Sequence, residues 1–269
     1  MHPLDGPRCK VTRARVEIDQ LRSMRDVFFE HTHYSAVRAE QNLKSGRYIY
    51  RIKIDGPPPA LDWGVYIGEI AHNLRSALNY LVYQLALLNG SNKPASVARD
   101  KRLQFPVFLR SREFKVKGNN MIKLLRPEHK ARIERLQPYK RSGGMLLKSV
   151  NLAEWRGRNS PLFWLEEINN ADKHRIIQVA GVKPGGFVIS YWGERTKPPF
   201  KGVRQVFRIL RDGAKFGEAD PDVHVNTQIR AFIAFTDGCE AVRNEPVCDL
   251  LDKIRITVSE IIESFVSEF

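Results

Sequence analysis

Two short runs of this chain concentrate residues able to donate, accept or move protons. The first carries Glu69, His72, Arg75, Ser76, Asn79 and Tyr83. At about 100° per residue, His72, Arg75, Asn79 and Tyr83 point one way while Ile67, Ile70, Leu74, Leu78, Leu81 and Leu85 fall in the opposite sector. Gly68 to Tyr83 therefore reads as an amphipathic helix. A merely solvated face is usually filled with Lys and Glu, whereas this one sets Ser, Asn and Tyr beside Arg75, types that suit a half-covered polar pocket. The second run, Asn169, Asn170, Asp172, Lys173, His174 and Arg175, follows the apolar stripe of Phe163, Trp164, Leu165 and Ile168. Helical spacing makes Asn170, Lys173 and His174 neighbours in it.

If the two helices pack across each other, His72 and His174 flank a common cleft with Arg75 and Lys173 beside them. A histidine pair can serve as base and acid, and the cations can stabilise charge developing on a phosphate. With Asn79, these are the parts of a metal-independent ribonuclease that uses the RNA 2′-hydroxyl as nucleophile. The structural alternative is that both histidines are hydrogen-bonded helix-surface residues and that the polar clusters lock helices together. Glu69-x-x-His72 has the carboxylate-histidine spacing of di-iron bundles, but it occurs once where such sites need two copies. Glu166, Glu167 or Asp172 with His174 would be needed to complete a mononuclear site. No metal and no cofactor are expected. The chain also has no Gly-rich phosphate loop before a helix and no Gly-x-Ser-x-Gly elbow.

Charge points to a partner. The chain carries a formal +14 with a pI near 9.8, and Lys101 to Arg158 holds 16 Lys plus Arg against 4 Glu, a net of +12. Such concentration is the electrostatic footprint of a surface that meets phosphates. Arg110, Arg112, Lys115, Lys117, Lys123, Arg126, Lys140 and Arg141 are its candidate nucleic-acid-binding residues. Phe105, Phe108, Phe114 and Tyr139 stand among them, placed either for base stacking or for the core. An arginine-rich composition without a recognition purpose is the competing explanation. The stretch 240–269 has the opposite sign, a net of −4, which would suit the basic centre of a second copy.

The elements that must position these residues follow from periodicity and breakers. Cys9 to Lys44 has apolar residues at helical spacing, enough for one long helix or two broken near His31 to Tyr34. Arg47 to Ile54 alternates as a strand and ends at Gly56 and three prolines. The first polar helix stops at Asn89 and Gly90, and Ser91 to Lys101 reads as a loop. Leu103 to Leu109, broken by Pro106, reads as an edge strand or extended connection. Asn120 to Leu125 and Glu128 to Leu136 read as short helices. Ser160 and Pro161 supply an N-cap and first-turn proline for a helix reaching toward Ile177. Gly185 to Trp192, Val203 to Leu210 and Val223 to Phe235 read as strands, and Pro246 to Phe269 as a closing helix. The sum is an α+β chain, a helical core of long amphipathic helices with a small antiparallel sheet. It is expected to form a single domain over 1–269, with a sub-boundary near 183 as the alternative.

The run His72-Asn73-Leu74-Arg75-Ser76-Ala77-Leu78-Asn79-Tyr80, with Asp172-Lys173-His174-Arg175, resembles a family of uncharacterised bacterial proteins whose first helix commonly continues as Leu-Asp-His. A histidine at position 80 would complete an Arg-x-x-x-x-His pattern opened by Arg75, similar to that of HEPN ribonucleases and toxins. This chain has Tyr80 there, so only Arg75 and Asn79 carry over. The resemblance implies RNA as substrate and a dimer with paired sites.

The expected function is nucleic-acid binding, RNA ahead of DNA, extending to a HEPN-like metal-independent endoribonuclease. A non-enzymatic interaction or scaffold protein, for example in phage or mobile-element defence, is the alternative. No apolar run is long enough to span a membrane and Met1 to Arg15 lacks a signal-peptide core, so a cytoplasmic location is expected. Cys9, Cys239 and Cys248 have no disulfide or zinc spacing and read as free thiols.

Overall fold

In the structure, a computed structural model, residues 2–90, 92–140, 157–174, 180–191, 200–201, 209–223, 225–236 and 239–269 are described. The side chains of 173, 174, 180, 187–191, 200–201, 225–226 and 228 lie outside that description. Helix α1 (Asp5–His31) leads into strand β1 (His33–Gln41), which pairs antiparallel with β2 (Tyr48–Asp55). Residues 33–41 thus form a strand and Leu43 lies in the turn after it, correcting the helical expectation. Tyr34 and Ala36 point inward from β1 on alternate positions, and period two wins once a partner strand is available. Asn42 and Gly46 close the hairpin. Asn42 Oδ1 accepts from the Lys44 N–H at 3.0 Å, and Gly46 takes φ +68°, which a side chain would disfavour.

Helix α2 (Asp62–Leu88) begins six residues before Gly68 and buries the predicted stripe, with Ile67, Ile70, Leu74, Leu78, Leu81 and Leu85 all fully out of water. Burying each of these contributes about 1.5–3 kcal/mol. Short helices follow: α3 (Pro94–Arg99), inside the stretch expected to be a loop, then α4 (Ser111–Glu113), a π-helical turn (Phe114–Gly118), α5 (Asn119–Met121) and α6 (Pro127–Arg135). The helical stretch around 120 therefore starts earlier than expected and ends before Leu125. Residues 103–109 form an extended connection rather than a strand. Helix α7 (Pro161–His174) begins at its proline. The Ser160 hydroxyl is buried without a hydrogen-bond partner among the described residues, so it does not supply the expected cap.

The remaining strands are β3 (Ala180–Tyr191), β4 (Phe200–Lys201), β5 (Lys215–Ala219) and β6 (Val225–Phe235), before the last helix α8 (Val247–Ser264). Two antiparallel sheets result, ordered β1-β2-β5-β4 and β3-β6. Strand β5 had no place in the sequence expectation, and 203–208 lie outside the described residues. Thr227 of β6 joins the sheets: its hydroxyl accepts from the Ala36 N–H at 2.9 Å and donates to the Ala36 carbonyl at 3.1 Å. Helices α1, α2, α7 and α8 pack on one another, and one cluster of buried residues runs from Leu4 to Phe265. No helix among the described residues is long and apolar enough to cross a membrane. The three cysteines are free thiols.

Two acids of the last helix are paired within the chain. Arg8 holds Glu263 at 2.7 Å, while Arg22 and Arg255 hold Asp252 at 3.0 and 2.6 Å. The Arg8 hydrogen bond keeps the Glu263 carboxyl below its ordinary range. Burial pushes Asp252 up, but the hydrogen bonds from Arg255 and Arg22 outweigh it and hold the group low.

Two outcomes follow from these contacts. Carboxyls depressed in the folded state stabilise it fully above their unfolded pKa, about 4, and lose that contribution as pH falls below it. The thermal midpoint should fall from about pH 5 to pH 3, and less steeply in Glu263→Gln/Asp252→Asn. Thr227→Val leaves both polar groups of Ala36 unpaired and should lower unfolding free energy by about 1–3 kcal/mol. The check is the urea midpoint at unchanged slope; an unmoved midpoint would deny the hydroxyl its bridging role.

Candidate functional site

An open cleft of about 400 Å³ lies where α1, α2 and α7 meet. Helix α1 contributes Arg13 and Glu17, α2 contributes Val65, Gly68, Glu69, His72 and Asn73, and α7 contributes Asp172. The two polar clusters of the sequence therefore do approach each other, through Asp172 and His72. Gly68 permits it: a Cβ there would stand 2.2 Å from Asp172 Oδ1. A mid-helix glycine ordinarily costs about 1 kcal/mol relative to alanine, and here it makes room for a carboxylate against the α2 backbone.

The floor of the cleft is a charge network. Glu17 is 3 % exposed and accepts from Arg13 Nε at 2.7 Å and from Asn73 Nδ2 at 3.1 Å, and Lys10 Nζ donates to Asn73 Oδ1 at 3.0 Å. Burial of a carboxylate is tolerable only with such partners. His72 is exposed at the rim, with Ser76 Oγ 3.4 Å from its Nε2. Glu17 and Arg13 were not singled out from the sequence. The available signal was Glu17 itself, an acid set between Ala14 and Ile18 in the apolar stripe of α1.

Arg75 and Asn79 do other work. Arg75 is 4 % exposed; its Nη2 donates to the Phe105 carbonyl at 2.7 Å and its Nε lies 3.2 Å from Glu166 Oε2. Asn79 Oδ1 accepts from the N–H of the same Phe105 at 3.0 Å. Burial lowers the Arg75 pKa, with Glu166 opposing. Both side chains thus clamp the backbone of one residue of the extended 103–109 connection, Phe105, whose ring is fully buried, and neither lines the cleft. Lys173 and His174 belong to α7, but their side chains lie outside the described residues, as does Arg141.

The basic segment divides in two. Arg126 donates to the Leu88 carbonyl at the end of α2, and Lys123 pairs with Asp100 at 3.1 Å, so these two are engaged in structure. Lys130 donates to the Lys123 carbonyl, and Arg132 pairs with Glu268 at 3.0 Å. Arg110, Arg112, Lys115, Lys117 and Lys140 are exposed. Arg112, Lys115 and Lys117 have no carboxylate partner among the described residues. The aromatics are not free to stack on bases. Phe105 and Phe114 are fully buried, and Phe114 meets Phe108 and Tyr139 edge-on at 6.4 and 6.2 Å. Tyr139 donates to Glu134 Oε1, and its phenol is pushed up to about 12, first by burial.

No group of three or more His, Cys, Asp or Glu side chains among the described residues is arranged to hold a metal ion. Comparison with protein-family models, with curated proteins and with solved structures finds no match.

The clamp on Phe105 gives a test of positioning against chemistry. Asn79→Ala should lower unfolding free energy by about 1–3 kcal/mol by orphaning the Phe105 N–H. Any nucleic-acid affinity of the folded protein should persist. Full stability with lost activity would instead mark Asn79 as a group that touches substrate.

Proposed function

We propose that this protein binds nucleic acid, RNA in preference to DNA, through the exposed cations of 110–117 with Lys140 beside them. The carrying observation is that three exposed cations within six residues, Arg112, Lys115 and Lys117, meet no carboxylate among the described residues. A solvated fold tends to intersperse its charges, and cations that meet no carboxylate among the described residues suit a polyanion that releases its own counterions. Lys140 Nζ sits 6.0 Å from the Tyr139 ring, which packs on Phe114 of the π-helical turn, so this cation stands beside the same ridge.

Binding is favoured over cleavage. Of the catalytic set, Arg75 and Asn79 are committed to Phe105, and the carboxylates Glu17, Glu69 and Asp172 around His72 oppose a phosphate. Cleavage by a HEPN-like route would rest on His72 as the exposed proton carrier. The Glu17-Asn73-Lys10 network supports the second reading, an interaction or scaffold protein in which polar groups cross-link helices.

Affinity for labelled RNA, measured by anisotropy across salt concentrations, tests the proposal. Log affinity should fall linearly with log salt, and Arg112→Gln/Lys115→Gln/Lys117→Gln should reduce the slope by about 2 to 3. A flat dependence would remove phosphate neutralisation from the account. Incubation of RNA in chelator with wild type and His72→Ala separates the two halves: intact RNA in both supports binding alone, and cleavage lost with His72 would reinstate catalysis.

A further inference from the structure

The π-helical turn Phe114–Gly118 gives the ridge an uncommon profile. Phe114 and Gly118 are buried at its two ends, while Lys115, Val116 and Lys117 between them are all exposed, Val116 to 70 %. The i to i+5 turn is one residue wider than an α-turn and lets three consecutive residues face water. Its base is fixed: a Cβ at Gly118 would stand 2.8 Å from Phe114 Cδ2 and 3.1 Å from Phe108 Cε2. The bulge is thus held by ring packing beneath it, with an apolar apex between two lysines. Asn119 and Asn120 follow on the exposed side, and Asn119 Nδ2 donates to the Lys115 carbonyl at 3.3 Å.

We infer that this ridge docks on double-stranded RNA, an assignment that rests on the nucleic-acid reading above and specifies its ligand. Single strands are held by stacking their bases on exposed aromatic rings. The four described aromatics of this segment are buried or packed edge-on, so among the described residues no stacking platform accompanies the cations. A duplex has already stacked its bases and presents phosphates, sugars and a groove. The minor groove of duplex RNA is wide and shallow and shows 2′-hydroxyls. A blunt apex one side chain high reaches such a floor, whereas the narrower minor groove of duplex DNA needs a longer probe. Val116 then covers sugar and groove surface, Lys115 and Lys117 take phosphates on either side, and the Asn120 amide is placed to meet a 2′-hydroxyl. The contacts read shape and backbone, with no sequence dependence.

The test is competition binding of the full chain to one sequence as duplex RNA, single-stranded RNA and duplex DNA at a single salt concentration, with Val116→Ser and Lys115→Gln/Lys117→Gln. All three positions are exposed, and far-UV circular dichroism verifies the fold. Duplex RNA should bind at least tenfold more tightly than the other two. Val116→Ser should weaken duplex RNA about three- to tenfold, in line with losing a valine's apolar contact, without changing the salt slope. The lysine pair should lower that slope by about 2. Equal or tighter binding of single-stranded RNA or of duplex DNA overturns the duplex-RNA assignment while leaving nucleic-acid binding in place. An unaffected Val116→Ser affinity overturns the docking geometry, and no binding to any of the three removes the underlying reading as well.

Discussion

The burial of Arg75 is the constraint on which the rest of the arrangement depends. Its guanidinium joins three segments distant in sequence: α2 carries it, Glu166 of α7 faces it, and the carbonyl of Phe105 accepts from it. A charge taken out of water is tolerated only when partners replace its hydration, and removing one partner costs more than the pair contributes. Nη1 lacks a partner among the described residues, which makes the bonds that are present harder to give up. With Asn79 on the N–H of the same Phe105, the extended connection is held from both sides. The ridge at 111–121 follows directly from that connection.

Charge is segregated by the same logic. Asp252 and Glu263 of α8, and Glu268 of its following turn, are met by Arg8, Arg22, Arg132 and Arg255. Buried His129 also lies 3.2 Å from Glu268. These pairs are intramolecular. They also engage Arg132 of α6. Partly exposed pairs of this kind contribute little individually, and their larger effect is to decide which cations remain for a polyanion.

The sequence was most legible where one face alone carried the information. The apolar stripe of α2 had a single period and a single destination, and all six of its predicted core residues are buried. Strand β1 was missed because Val37 and Leu43 also fit a helical spacing. The deciding features were the Asn42 and Gly46 turn and the pairing with Tyr48–Asp55, and pairing is non-local. Strand β5 is five residues long and bonds to a strand some 160 positions earlier, so local pattern had little to offer. Arg75 was legible as a special residue but not in its role. A buried arginine and one awaiting a phosphate have the same neighbours in sequence, and only the path of 103–109 tells them apart. The π-helical turn is illegible for a similar reason: packing of Phe108, Phe114 and Tyr139 across chain distance fixes it.

Two surfaces of opposite character result, and their separation bears on chemistry. The cleft at α1, α2 and α7 is lined by three carboxylates against the one guanidinium of Arg13, on a chain that is otherwise strongly cationic. Glu17 at its floor is already neutralised by Arg13 and supported by Asn73, so the unbalanced charge is that of Glu69 and Asp172 at the rim. Among the described residues, a phosphodiester brought to His72 would face those two carboxylates, whose charge opposes it. Tyr80 removes the second proton carrier from α2, and the guanidinium five residues before it faces the interior. The proposed nucleic-acid reading therefore fits the ridge better, where Arg112, Lys115 and Lys117 meet no carboxylate among the described residues and the rings beneath them hold their shape.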